Sequence, residues 1–158
     1  MRAYAASIGM APMTTVAEIL KAKPIRSVYT IEATASVFDA VKLMAEANVG
    51  ALVVLQHNQV VGIVSERDCA RKVILPARSP TDTSVHQIMS APVLVVRLER
   101  TSDECMALMT ENRLRHLPVM DGARLLGIVS IGDLVKQVVA DQRFVIEQLE
   151  HYICGERG

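Results

Sequence analysis

The chain has no tryptophan, and two phenylalanines and three tyrosines bring its aromatic residues to only 3% of 158. A core of aromatic rings is excluded. The apolar residues, 51% of the chain, have to pack as aliphatic side chains and methionines. Neither sign of charge is in excess, since 17 basic and 17 acidic side chains give a formal net charge of zero. Nucleic-acid binding draws on a basic surplus, so no nucleic-acid partner is expected, and a net charge near zero favours self-association. Long hydrophobic runs are missing too. Runs such as Ala51 to Leu55 fall far short of the roughly 18 residues that suggest a membrane span, and no membrane partner is expected. Residues 1–13 lack the apolar stretch of about 7–15 residues of a secretory signal and read as a flexible tail. The three cysteines, Cys69, Cys105 and Cys154, form no CxxC pair. They read as reduced thiols of a cytoplasmic protein, small apolar fillers on helices. No HExxH and no paired Cys/His set points to a metal site.

What the chain does have is a copy of itself. GIVSERD at 62–68 returns as GIVSIGD at 127–133. At that offset of 65 residues, Ile31 to Val73 aligns without a gap on Val96 to Val138. Leu43/Leu108, Met44/Met109, Glu46/Glu111, Leu52/Leu117, Val54/Val119, Gly62/Gly127, Ser65/Ser130 and Asp68/Asp133 are identical. Two copies of this length are too few for a solenoid. Each alone would be marginal, so the two are expected to share a core, related by a pseudo-two-fold axis with a ligand cleft at the seam.

The order of elements repeats as well. Thr14 or Thr15 caps a short helix to about Lys21, and Pro24 ends it. Ser27 to Ile31 reads as a strand. Ser36 caps a helix from Val37 to Ala47 with Val37, Val41 and Met44 on its apolar face. Ala51 to Leu55 and Gln59 to Val64 form a hairpin about His57-Asn58, and Ser65 caps a helix to about Leu75. After the linker Pro76 to Pro80 come a helix Ser84 to Met89, a strand Leu94 to Val96 and a helix from Thr101 to Asn112. A second hairpin (His116 to Met120, Leu125 to Val129) turns at Asp121-Gly122. Ser130 opens a last helix toward Tyr152, with Phe144, Ile146, Leu149 and Ile153 as an apolar stripe. The fold class is mixed α/β (α+β), two β-α-β-β-α units. The expected boundaries are tail 1–13, repeats 14–78 and 79–140, and a helical extension 141–158.

The chemistry concentrates where each Gly-Ile-Val strand meets its helix. Free amides and the positive end of the helix dipole suit a phosphate. Gly62 and Gly127 permit close packing or close ligand approach. Ser65 and Ser130 can donate to a phosphate oxygen, and Asp68 and Asp133 can accept from both ribose hydroxyls. The plain alternative is capping by Ser with Asp as a first-turn acid. Arg115 and His116 break the apolar pattern at a strand entrance where the first copy has Gly50 and Ala51, and Arg115 offers a planar fork for phosphate. Two unequal sites are expected. One joins Arg115, His116, Ser130 and Asp133 to Gly50 and Ala51. The other joins Ser65, Arg67 and Asp68 to the first strand of the second copy.

These residues resemble the tandem cystathionine-β-synthase (CBS) domains of the Bateman module. The resemblance covers about 14–140 and rests on the two Gly-x-x-Ser-x-x-Asp motifs, LRHLPVMDG at 114–122 and the duplicated element order. It implies an adenine nucleotide (AMP, ADP, ATP or NAD(H)) in the cleft, with Asp68 and Asp133 toward ribose and Ser65 and Ser130 near phosphate. It makes Arg115 and His116 the family's basic pair and places Tyr29, Val49 and Ala51 around adenine at the Asp133 site. The first copy departs from the pattern at Gly50 and Ala51, leaving Arg67 to supply charge there. It implies a regulatory module without catalytic cofactor, a homodimer, and an output passed to an effector protein of unknown identity or to its own assembly. Ser130, His116 and Asp133 are the residue types of a hydrolase triad, but no GxSxG elbow is present, and an enzyme is not expected. The competing reading is an interaction adaptor with degenerate clefts.

Overall fold

A computed structural model describes residues 13–24 and 28–155. The expected tail, apart from Met13, and the start of the expected strand at Ser27 lie outside them. Helix α1, Val16–Ala22, starts at Thr15, whose side chain accepts from the Glu18 amide while Glu18 accepts from the Thr15 amide. Strand β1, Thr30–Glu32, pairs in parallel with β2, Ala51–Gln56, which pairs antiparallel with β3, Gln59–Ser65. The turn between β2 and β3 places His57 and Asn58 at φ 52° and 59°, the left-handed pair that a tight hairpin needs.

Helix α2 spans Val37–Ala47, capped by Ser36 and ended by Asn48 in the left-handed region. Its buried face is Val37, Ala40 and Met44, whereas Val41 is 42% exposed. The 100° helical step puts the three buried residues within an arc of about 60° and carries Val41 past its edge, beside exposed Phe38. Helix α3, Glu66–Cys69, runs on through a π-helical turn, Ala70–Ile74, where the sequence suggested plain helix.

In the second copy, α4 is Ser102–Asn112, β4 His116–Asp121, β5 Arg124–Ser130 and α5 Ile131–Gly155. The expected helix over Ser84 to Met89 shrinks to a 3-10 turn, Val85–Gln87. The expected strand Leu94 to Val96 shrinks to one bridge between Val96 and Val119. Proline is the reason. In the first copy the Val53 amide donates to the Tyr29 carbonyl, but Pro118 stands at Val53's place and has no N–H for Leu94.

Two aliphatic cores form, and each contains a segment that precedes the other copy in sequence. Val16 and Ile19 of α1 are buried with Val96, Cys105, Met109, Leu117 and Leu134, in the second core. Val85 and Ile88, after the linker, are buried with Val37, Met44, Leu52, Val64 and Val73, in the first. Backbone bonds seal both exchanges. The Val16 and Ala17 amides donate to the Arg100 and Leu98 carbonyls, and those of Val85 and His86 to the Ala35 and Ala33 carbonyls. The cores therefore cross the boundary expected at 78/79. Cys69 and Cys105 are buried fillers, and burial pushes the Cys69 thiol up to about 11, whereas Cys154 is exposed and fills nothing. No helix among the described residues is long and apolar enough to cross a membrane.

Truncating an exchanged residue should damage the opposite copy. Ile19→Ala is expected to cost about 2–5 kcal/mol, and amide exchange should speed up first in β4 and β5. Val85→Ala should instead loosen β2 and β3.

Candidate functional site

Both repeated Ser-x-x-Asp motifs close on themselves. Asp68 Oδ2 accepts from the Ser65 amide and hydroxyl at 3.0 Å each, and the Asp68 amide donates back to Ser65 Oγ at 3.2 Å. In the second copy the Ser130 amide donates to Asp133 Oδ2 at 2.8 Å and the Asp133 amide to Ser130 Oγ at 3.2 Å. Each pair is a capping box that satisfies otherwise orphaned amides. The two glycines serve packing. A Cβ on Gly62 would fall 2.5 Å from the Met89 sulfur, and one on Gly127 would fall 2.8 Å from Leu20 Cδ2. They let the exchanged segments lie directly on the strands.

A cleft of about 620 Å³ opens between the copies. Ser65, Arg67, Asp68, Arg71 and Lys72 line it from the first copy, and Arg113, Arg115 and His116 face them from the second. The lining cuts across the two expected groupings, although His116 also stays in register with Ser130. Arg115 and His116 share a cleft with Ser65, Arg67 and Asp68, while Ser130 and Asp133 do not line it. Gly50 does belong with the basic pair, since a Cβ there would lie 3.6 Å from His116 Nε2. The cleft's charge is lopsided for a neutral chain. Against Glu66 and Asp68 stand Arg67, Arg71, Lys72, Arg113 and Arg115. Among the described residues none of the four arginines forms an ion pair. Arg67 is held below the ordinary guanidinium value mainly by the charge of Arg71, with Arg115 adding to it. His116 is held below 6.5 chiefly by burial, with Lys23 and Arg115 adding to it and Asp133 opposing.

The second corner is closed by a cation of the chain itself. Lys23, just past α1, donates to Asp133 Oδ2 and to the Ile128 carbonyl, both at 2.9 Å. Burial alone would raise the Asp133 carboxyl, but the Ser130 amide and Lys23 outweigh it and hold the group below 3.8. Asp68 has a looser partner, Lys72 Nζ at 3.2 Å, on a side chain 45% exposed. Tyr29 and Val49 pack against the first core and do not line this cleft, and Ala51 is buried in register with Ser65.

The model of the CBS domain matches residues 12–75 and 85–140. The chain belongs to the CBS-domain family. A CBS-domain protein from Burkholderia ambifaria MC40-6 is 57% identical, with a TM-score of 0.78 over 82% of this chain and 96% of that one. The hexameric CBS-CP12 protein of bloom-forming cyanobacteria is 30% identical, with a TM-score of 0.73 over 93% and 91%. The CBS domain-containing protein CBSX3, mitochondrial, of Arabidopsis thaliana is 42% identical over 125 residues. Those residues are 76% of this chain and 61% of the plant protein, so this chain spans about three fifths of that relative's length. CBS pairs are generally regulatory, ligand-binding modules rather than catalysts, and they commonly bind adenine nucleotides.

Sequence reasoning missed four cations of this CBS pair. Arg71 follows Arg67 by one helical turn, so the i, i+4 spacing in ERDCARK carried a readable signal. Lys72 is one step further on. Arg113 is the left-handed end of α4 at φ 53°, and only the fold brings it to the cleft. Lys23 had no signal, because its partner lies 110 residues away. Removing it with Lys23→Met should cost roughly 1–2 kcal/mol, between the exposed and buried extremes for an ion pair. A carboxyl held below 3.8 contributes stability above that pH and loses it as pH falls through its folded value. The variant should therefore show a raised Asp133 pKa by NMR titration and a smaller stability difference between neutral and acid pH.

Proposed function

We propose that this CBS pair is a sensor that binds an adenine nucleotide (AMP, ADP, ATP or NAD(H)) in the cleft between its copies. Its output is passed to a partner protein or to its own assembly. The observation that carries the reading is the convergence of Arg67, Arg71 and Arg115 from both copies, none of them ion-paired among the described residues. Like charges held together favour an anion between them, and planar forks suit phosphate oxygens. In this reading Arg115, Arg67 and Arg71 hold the phosphates, and His116 adds a donor. Asp68 faces the ribose after giving up its loose contact with Lys72, and Ser65 stands near the phosphate. Gly50 leaves room for His116 to turn. The Ser130 and Asp133 corner, with Lys23 in place, is the weaker site, and Tyr29, Val49 and Ala51 shape the first copy's strands behind the cleft. The hexameric CBS-CP12 neighbour supports self-assembly as an output, and a homodimer is the simplest form of it.

One observation favours the adaptor reading instead. Both motif aspartates already carry a lysine, Asp133 tightly and Asp68 loosely. Thermal-shift titration with AMP, ADP, ATP, NADH and S-adenosylmethionine separates the two. A ligand at 100 times its Kd stabilises by about 2.7 kcal/mol. One nucleotide should shift the protein, and Arg115→Ala should weaken that shift more than Asp133→Ala. No shift from any of them, in protein first shown free of co-purified nucleotide, selects the adaptor.

Proton linkage gives a second test. Burial keeps His116 neutral below its ordinary 6.5 in the free protein. A phosphate beside it raises that value, so binding between the two values takes up a proton and tightens as pH falls. Calorimetry in buffers of different ionisation enthalpy, repeated across a pH series, should show the uptake between the free and bound values of His116, and His116→Gln should abolish it.

A further inference from the structure

We infer that the outer face of α5 binds the same face of a second copy of this chain, with the two helices antiparallel. Val135, Val139, Gln142, Ile146, Leu149 and Ile153 follow one another at steps of 4, 3, 4, 3 and 4, the spacing of a coiled-coil seam over nearly three heptads. The five apolar members are between 42% and 57% exposed. Most of this seam, from Gln142 on, lies beyond residue 140, where the match to the CBS model ends. The helix is held to the body by its other face, through buried Leu134, so the seam faces outward.

The charges beside the seam fix the direction. On one flank stand Lys136, Arg143 and Glu150, all exposed, and on the other Val138 and Val145, both half-buried against the body. In a parallel pair the charged flank of each helix would meet the valine flank of the other and find no opposite charge there. In an antiparallel pair like flanks meet. The register that sets Val139 against Leu149 of the second copy also sets Lys136 beside Glu150, and the two-fold axis repeats that contact. The two Arg143 side chains then lie near the axis.

This deepens the self-association part of the proposed function and is independent of nucleotide binding. The test is sedimentation of the full chain with charge reversals. Lys136→Glu should weaken the dimer about tenfold or more, and adding Glu150→Lys should restore it. In a Cys154→Ser background, Arg143→Cys should cross-link to itself. Lys136→Cys should cross-link to a chain carrying Glu150→Cys and not to another Lys136→Cys chain. A monomeric native chain would overturn both this inference and self-association. A dimer that tolerates Lys136→Glu and Ile146→Asp alike would overturn the seam alone, as would self-linked Lys136→Cys. Circular dichroism of each variant, with an unchanged nucleotide thermal shift, separates these outcomes from misfolding and from failure of the nucleotide reading.

Discussion

The packing of a foreign side chain onto a bare glycine is the contact on which this molecule depends. Met89 rests on Gly62 and Leu20 rests on Gly127, where even one methyl group would have to displace them. Each contact brings a segment that precedes one copy onto the strands of the other. The aliphatic cores, with no tryptophan to supply bulk, are completed by these visitors: Val16 and Ile19 in one, Val85 and Ile88 in the other. A single copy of this size would bury too little surface to stand alone. Exchange makes the stability of each copy conditional on the other, and the cleft between them is held open between two mutually dependent walls.

The same exchange makes the two corners unequal. Their local chemistry is the same, a Ser-x-x-Asp capping box after an apolar strand. They differ in what the visiting segment brings. The segment before the first copy ends in Lys23, which reaches Asp133 and the Ile128 carbonyl. The segment before the second copy contributes Ser90 to the cleft lining and the Ile88 carbonyl to Lys72. A positive group therefore closes one corner, while the other keeps its cations around open space. The π-helical turn after Cys69 adds to the difference, because it carries Arg71 and Lys72 in the first copy and has no counterpart in continuous α5.

Much of this was legible because it is local or periodic. The 65-residue repeat gave the two units, Ser36 and Thr101 marked helix starts that the structure keeps, and His57-Asn58 and Gly122 mark the turns. The motif residues were identified, and so was the fork between capping and ligand contact, of which the structure displays the capping half. What could not be read depended on distant partners. Nothing near Ile19 says that it packs with Leu117, or near Pro118 that its missing N–H ends a pairing with Leu94. The grouping of Arg115 and His116 with Ser130 and Asp133 followed their order in the chain. His116 does sit in register with Ser130, but across the exchanged interface the basic pair also lines a cleft with Ser65 and Asp68, a neighbourhood that chain order does not show.

In the proposed function, α5 is the element that links the cleft to the self-association seam. Its 25 residues start at the Ser130 and Asp133 corner and carry the exposed seam along most of their length, a span of about 37 Å at 1.5 Å per residue. The Ile131 amide, at the very start, donates to the Arg115 carbonyl, so the residue best placed to feel an anion is bonded to the helix that meets solvent. A helix transmits a displacement of its first turn as a rotation of the whole rod. It does so only if its attachment to the body has two arrangements that a ligand binds unequally. Leu134 is the buried anchor near that start, and Gln137 ties the next turn to Thr14 and Asp141. Thr14 lies at the head of the exchanged segment that ends in Lys23. The polar contacts that fix α5, the lysine that closes the second corner and the segment completing the second core are thus one continuous piece of chain.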